Sequence, residues 1–139
     1  MTRKKQRDTI FKLLFQIEFI DSQEIETHVN LLLDEITDQG EEKGKKVNQT
    51  QLTYIKEKFY RILSLIKELD HQINDQSTGW RTGRMNKVDL SILRLALFEI
   101  KYDDDIPVGV AINEAVELAK KYSGEEGPAF VNGVLAKFV

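Results

Sequence analysis

Apolar positions recur at helical spacing along almost the whole chain. In the first half, this pattern predicts one helix from about residue 4 to 19 and a second from about 22 to 38. A polar loop is expected over 39–48. A third helix is expected from about 49 to 68, either running on or restarting after a kink through Ile73. Because proline and glycine are scarce before residue 79 and no long β-branched alternation occurs, the chain is predicted to be all-α.

The pattern then predicts a buried helix over residues 88–102. These positions are apolar on nearly every side, which is typical of a helix at the centre of a bundle. Asn86, with Asp89 three residues on, predicts an N-cap close to a capping box. Arg94 lies inside the apolar run, where a buried guanidinium needs an acidic or carbonyl partner. We interpret Arg94 as structural rather than as a ligand contact.

Residues 105–139 predict two further helices, separated by Ser-Gly-Glu-Glu-Gly-Pro. Pro107 fits a helix start, and a second proline, Pro128, starts the last helix. Gly133 inside that helix costs about 1 kcal/mol relative to alanine, which predicts a close packing contact there. The helix after Pro107 carries small and apolar residues on one arc, typical of a face that another helix approaches closely: Val108, Ala111, Ile112, Ala115, Val116, Leu118, Ala119 and Tyr122.

Composition narrows the class of protein. The chain has 139 residues, with 41% hydrophobic and 31% charged, which predicts one ordinary globular domain over 1–139. Cysteine is absent, which excludes disulfides, thiolate catalysis and cysteine-based metal sites. No apolar run approaches the roughly 20 residues of a membrane span, and no signal-peptide pattern follows the basic N-terminus. We therefore expect a cytoplasmic protein without membrane contact.

Charge is distributed unevenly. The net charge is −3, yet residues 1–12 carry five basic side chains and one acidic side chain, a net +4, so that the other 127 residues carry −7. Such asymmetry indicates a local anionic partner for the N-terminus. A basic tail that only improves solubility is the alternative interpretation.

Few residues suggest catalysis. His28 and His71 lie in amphipathic segments without partners at ligand spacing, and Asp103–Asp105 is interpreted as an acidic turn between helices. Oxygen-only metal sites need several convergent ligands, and no glycine-rich phosphate loop follows a strand. We expect no enzyme activity, no cofactor and no metal.

Several segments resemble the NusB family. They are the tail from Asp105 to Val139, then Trp80, Arg84 and the run VDLSILRLALFEI, and the basic start ahead of Leu14 and Phe15. Leu90 departs from the family, where Arg is frequent, and Phe15 replaces the Tyr of a Leu-Tyr pair. The resemblance is closest over 80–139 and weakest over 21–79, with an insertion around 40–46.

The resemblance implies a fold and a function. NusB-like proteins are all-α, with about seven helices in two small helical bundles packed across each other. They pair with the ribosomal protein NusE, and the pair binds the boxA element of nascent RNA. This complex promotes read-through by RNA polymerase in the antitermination complex, notably in ribosomal RNA operons. Whether the free protein is a monomer or a homodimer stays open.

The resemblance and the charge pattern together nominate two sets of residues. Candidate RNA-binding residues are Arg3, Lys4, Lys5, Arg7, Phe15, Arg84 and Lys87, and Arg81 would extend their basic track. Candidate partner-binding residues are Asp89, Tyr122, Glu125 and Glu126.

Purely structural interpretations remain open for these residues. In these interpretations Phe15 is a core aromatic, and Arg81, Arg84 and Lys87 lie in a solvated loop. Asp89 only caps its helix, and Glu125 and Glu126 only solvate a turn. Two further function classes are a helical adaptor without RNA contact and the substrate-recruiting domain of NusB-related RNA methyltransferases. The second needs a catalytic domain, for which 139 residues leave no room.

Overall fold

The computed structural model describes residues 1–44, 46–76 and 79–139. This described part is helical, without strands, so the all-α prediction is confirmed. The predicted loop over 39–48 includes Lys45, which lies outside the described residues, as do Ser77 and Thr78. Within the described ranges, no helix is long and apolar enough to cross a membrane. The described residues form seven α-helices: α1 (Arg3–Gln16), α2 (Ile25–Glu42), α3 (Gln49–Ser64), α4 (Ile66–Asp75), α5 (Lys87–Tyr102), α6 (Val108–Tyr122) and α7 (Gly127–Leu135).

The chain divides into two compact units, residues 1–61 and 62–139. The first unit contains α1, α2 and most of α3. Its apolar stripes are buried at helical spacing, at Ile10, Leu13, Leu14, Val29, Leu33, Leu52, Ile55 and Phe59. Helix α2 runs to Glu42, further than the sequence pattern predicted, and ends where Gly44 adopts a left-handed φ of 69°. Glycine meets that conformation without steric cost.

The second unit is built around α5. Every residue of α5 from Asp89 to Glu99 is buried, and the helix packs against α4, α6 and α7. The prediction of a central helix is therefore confirmed. The predicted third helix restarts at a break, since Leu65 has φ −108° and ψ 5° and α4 begins at Ile66.

Arg94 is a structural residue, as predicted. Its Nε donates to Oδ1 of Asp70 at 2.9 Å and its second guanidinium nitrogen donates to Oδ2 at 2.8 Å. The side chain of Arg94 is 7% exposed and that of Asp70 is 23% exposed. This two-point ion pair links α5 to α4 within the second unit.

The small-residue arc of α6 is confirmed from its second turn onward. Ala111, Ala115, Leu118 and Ala119 are buried. Val108 was predicted to share this arc but is 40% exposed, and Ile112, Val116 and Tyr122 are half-buried. Helix α6 begins directly after Pro107, whose φ of −59° suits the helix start.

The prediction of a close contact at Gly133 is wrong. Gly133 is exposed, and a Cβ built there would meet no atom of the described residues within 4 Å. The close contact lies instead at Gly127, the buried first residue of α7. Periodicity marks a glycine inside a helix but does not say which neighbouring side chain approaches it.

We expect Gly133→Ala to raise the free energy of unfolding by roughly 0.5–1 kcal/mol, because alanine has the better helix propensity and the site has room. Urea denaturation of the two proteins measures the difference. A loss of stability would show that Gly133 is packed after all.

Candidate nucleic-acid and partner interfaces

Exposed cations cover the first turn of α1. Thr2 caps this helix, as its Oγ1 accepts a hydrogen bond from the backbone N–H of Lys5 at 3.1 Å. Arg3, Lys4 and Lys5 are all exposed, and no acidic residue lies in the turn. Cations here add to the positive end of the helix dipole, at a cost of roughly 0.3–1 kcal/mol each. The turn therefore concentrates positive potential where an anion can reach it.

Arg7 differs from these three residues. It is 8% exposed and lies three and seven residues before the buried Ile10 and Leu14, on the same side of α1. Its neighbour Asp8 is also buried, with Oδ2 3.1 Å from Nζ of Lys12. The basic cluster is thus divided, with three side chains at the surface and one directed inward. Composition alone does not separate them.

Phe15 lies between two other aromatic rings. Its centroid is 6.4 Å from that of Phe11, which is buried, and 5.1 Å from that of Phe19, which is 65% exposed. Phe15 itself is half-buried. The ring most open to a stacking base is therefore Phe19, which the sequence analysis did not nominate. Phe11, Phe15 and Phe19 follow one another at four-residue spacing, and this spacing is the sequence signal that could have identified Phe19.

In the second unit, a groove of about 630 Å³ brings together residues from both nominated sets. Trp80 and Phe130 form an aromatic wall, with ring centroids 5.9 Å apart in an edge-to-face arrangement. The nominated residues that line the groove are Arg81, Arg84, Asp89, Glu125 and Glu126. Both arginines and both glutamates are exposed, so cations and carboxylates face the same open space.

Asp89 is held by its own chain. It is 6% exposed, and its backbone N–H donates to Oδ1 of Asn86 at 2.8 Å, which confirms the predicted N-cap. Nδ2 of Asn86 donates back to Oδ2 of Asp89 at 2.8 Å, and Oγ of Ser123 donates to Oδ1 at 2.6 Å. A carboxylate near a helix N-terminus also interacts favourably with the dipole. Sequence reasoning missed Ser123, since it lies 34 residues along the chain.

Two nominated residues are half-buried and lie outside the residues that line the groove. Lys87 is the first residue of α5, and its carbonyl accepts a hydrogen bond from Oγ of Ser91 at 2.7 Å. Tyr122 ends α6, and Nζ of Lys121 lies 5.0 Å from its ring centroid.

The acidic turn between α5 and α6 has the form that the sequence predicted. Asp104 and Asp105 are exposed, and the backbone N–H of Asp105 donates to Oδ1 of Asp103 at 3.2 Å. Within the ranges that the structure describes, no group of three or more His, Asp or Glu side chains could hold a metal ion. His71 is exposed beside Asp75, and His28 is half-buried.

Comparison with known proteins finds similarity to one family over nearly the whole chain. The model of the NusB family matches residues 4–139. A transcription antitermination protein NusB from Agathobacter rectalis is 53% identical, over 99% of each chain. The structure of T. maritima NusB has a TM-score of 0.83 at 31% identity, covering 99% of this chain and 89% of that one. A crystal structure of the antitermination factors NusB and NusE in complex with dsRNA has a TM-score of 0.72 at 27% identity, covering 99% and 96%.

Proposed function

The chain belongs to the NusB family, and from this premise we propose that it is a transcription antitermination factor. In this proposal it binds boxA-type nascent RNA together with NusE and promotes read-through by RNA polymerase, notably in ribosomal RNA operons. The solved complex of NusB and NusE with dsRNA, similar over 99% of this chain, supports both partners. The chain would act in the cytoplasm by holding RNA and protein together, without catalysing a reaction.

The observation that carries the RNA-binding part is the exposed cationic turn of α1. Three cations stand at the end of a helix where they oppose its stability. They also stand in a chain whose residues beyond 12 carry a net −7. Phosphates would offset this local repulsion and release counterions on binding. Backbone N–H groups at a helix N-terminus favour the same anions.

Aromatic side chains of the first unit would supply the second part of RNA recognition. Unpaired bases bind by stacking on aromatic rings and by edge contacts. Phe19 offers an exposed ring, and Phe15 supports it at 5.1 Å. In the second unit, Arg84 and Lys87 are proposed as further RNA contacts, although Lys87 is half-buried.

The proposed binding of the protein partner rests on Glu125 and Glu126, in the turn between α6 and α7. Glu125 and Glu126 are exposed on the groove, beside the half-buried Tyr122. Carboxylates at such a rim complement a basic ribosomal protein and speed its association. We therefore propose Glu125 and Glu126 as direct contacts to NusE.

The functional test is transcription in vitro through a terminator placed downstream of a boxA element. We expect the chain and NusE together, with RNA polymerase and the other antitermination factors, to raise the fraction of read-through transcripts. The increase should vanish when boxA is scrambled. Equal read-through with and without the chain would contradict the proposal.

Reversing the charges of Glu125 and Glu126 should weaken the binding of NusE. We expect Glu125→Lys/Glu126→Lys to raise the Kd for NusE at least tenfold, because attraction becomes like-charge repulsion. Asp104→Lys/Asp105→Lys is a matched control with the same change in net charge on another exposed turn. Calorimetric titration measures both variants. Equal losses in the two variants would assign the effect to net charge rather than to this turn.

A further inference from the structure

The turn that carries Glu125 and Glu126 is held by a backbone hydrogen bond at each end. At its start, the backbone N–H of Ser123 donates to the carbonyl of Ala119 at 2.9 Å. At its end, the N–H of Gly127 donates to the carbonyl of Gly124 at 3.0 Å. The two glutamates lie between these points, where the described chain offers their carboxylates no hydrogen bond or ion pair. They are thus held in place by the backbone and left open to a partner.

A side-chain contact ties this turn to α5. Oγ of Ser123 donates to Oδ1 of Asp89 at 2.6 Å, a short hydrogen bond to a carboxylate. The other oxygen of Asp89 accepts from Asn86 at 2.8 Å. Both oxygens of the carboxylate are therefore engaged, and the residue is 6% exposed. Asp89 is placed to act on a partner through the turn rather than by direct contact.

Gly127 is where the turn approaches Ser123 most closely. A Cβ built on Gly127 would lie 2.5 Å from Cβ of Ser123 and 3.4 Å from Oδ1 of Asp89, and it would also overlap Oγ of Ser123. The backbone of Gly127 does not require glycine, since its φ is not positive. Glycine is required at this position because a side chain would overlap Ser123. By contrast, a Cβ at Gly124 or Gly133 would meet nothing within 4 Å in the part of the chain that the structure describes.

We propose that Ser123, Asp89 and Gly127 form a latch that presents Glu125 and Glu126 to the protein partner in a fixed conformation. Ser123 and Gly127 are then positioning residues for partner recognition. A turn ordered before binding loses less conformational freedom in the complex, so the latch raises affinity without touching the partner. The inference rests on the proposed function, because it concerns how the same acidic turn recognises NusE.

The decisive experiment combines Ser123→Ala with the charge reversal of the turn. Two quantities are measured on each full-length variant: amide hydrogen exchange at residues 124–127 and the Kd for NusE. We expect Ser123→Ala to speed exchange at the turn and to raise the Kd roughly threefold to tenfold, the range of one hydrogen bond. In the Glu125→Lys/Glu126→Lys background, Ser123→Ala should leave the Kd unchanged, since correct presentation then gains nothing. A role in folding alone would lower affinity equally in both backgrounds.

Gly127→Ala tests the steric half of the latch. We expect it to lower the urea midpoint because the added methyl group overpacks the site, whereas Gly133→Ala, the matched control in the same helix, does not. Adding Ser123→Gly to Gly127→Ala removes both overlapping atoms of Ser123, so it should recover the part of the midpoint that the overlap removes. It should not recover the Kd for NusE, because the hydroxyl is still missing. Recovery of both quantities would overturn the role of the hydrogen bond.

The two proposals fail in different ways. If the unaltered chain does not bind NusE, the proposed function fails and the positioning role fails with it. If the unaltered chain binds NusE while Ser123→Ala changes neither turn exchange nor the Kd, the latch alone is overturned.

Discussion

Replacing Arg94 with alanine is expected to lower the free energy of unfolding by about 3 kcal/mol. The guanidinium is 7% exposed and makes two hydrogen bonds to Asp70. Its removal leaves a carboxylate with only partial access to water and opens a cavity beside α5. Because Asp70 keeps 23% of its side-chain exposure, the loss should lie near the lower end for a buried pair.

Urea denaturation followed by far-UV circular dichroism measures this loss. Lys67→Ala, on an exposed position of α4, is the control and should change the stability by less than about 0.5 kcal/mol. Replacing both partners, as Arg94→Met/Asp70→Leu, should recover most of the stability, since apolar replacements of a buried pair are frequently neutral. A loss below about 1 kcal/mol for Arg94→Ala would contradict the assignment of this pair as a structural link.

Removing the exposed cations of α1 is expected to produce the largest effect on RNA binding. For Arg3→Ala/Lys4→Ala/Lys5→Ala we predict affinity for boxA RNA at least about tenfold weaker at low salt. The slope of log K against log salt should fall by about 2, since each phosphate contact to single-stranded RNA contributes about 0.7. Arg7 is left in place because it is buried, and its loss would mix a folding defect with a binding defect.

Fluorescence anisotropy across a salt series measures both the affinity and the slope. The matched control, Lys43→Ala/Lys46→Ala/Lys67→Ala, removes the same charge from other exposed positions. An unchanged slope in the α1 variant, or an equal drop in the control, would remove the assigned role of these cations.

Much of the fold could be predicted from the sequence, because a helix records its buried side in the spacing of apolar residues. Helix α5 shows this most clearly, with apolar residues on nearly every side and burial from Asp89 to Glu99. The N-cap at Asn86 and the pairing of Arg94 also follow from local chemistry, since a cap and a buried cation each need a particular partner.

The site was less predictable, because it depends on which distant residues meet. The latch joins Asp89 to Ser123 and Gly127, and helical periodicity carries no information on such a contact. The same reason explains why the sequence predicted a close contact at Gly133, whereas the structure has it at Gly127. Arg7 is a different case, since its spacing to Ile10 and Leu14 was readable in the sequence and indicated its burial.

The most direct test of the central claim is binding to a boxA-type single-stranded RNA at several salt concentrations, with and without NusE and against a scrambled RNA. We predict selective binding to boxA that becomes tighter when NusE is added, together with a salt slope that reports several phosphate contacts. Binding that does not distinguish boxA from the scrambled RNA even with NusE present would contradict the claim. The chain would then be a helical adaptor without a role in reading RNA.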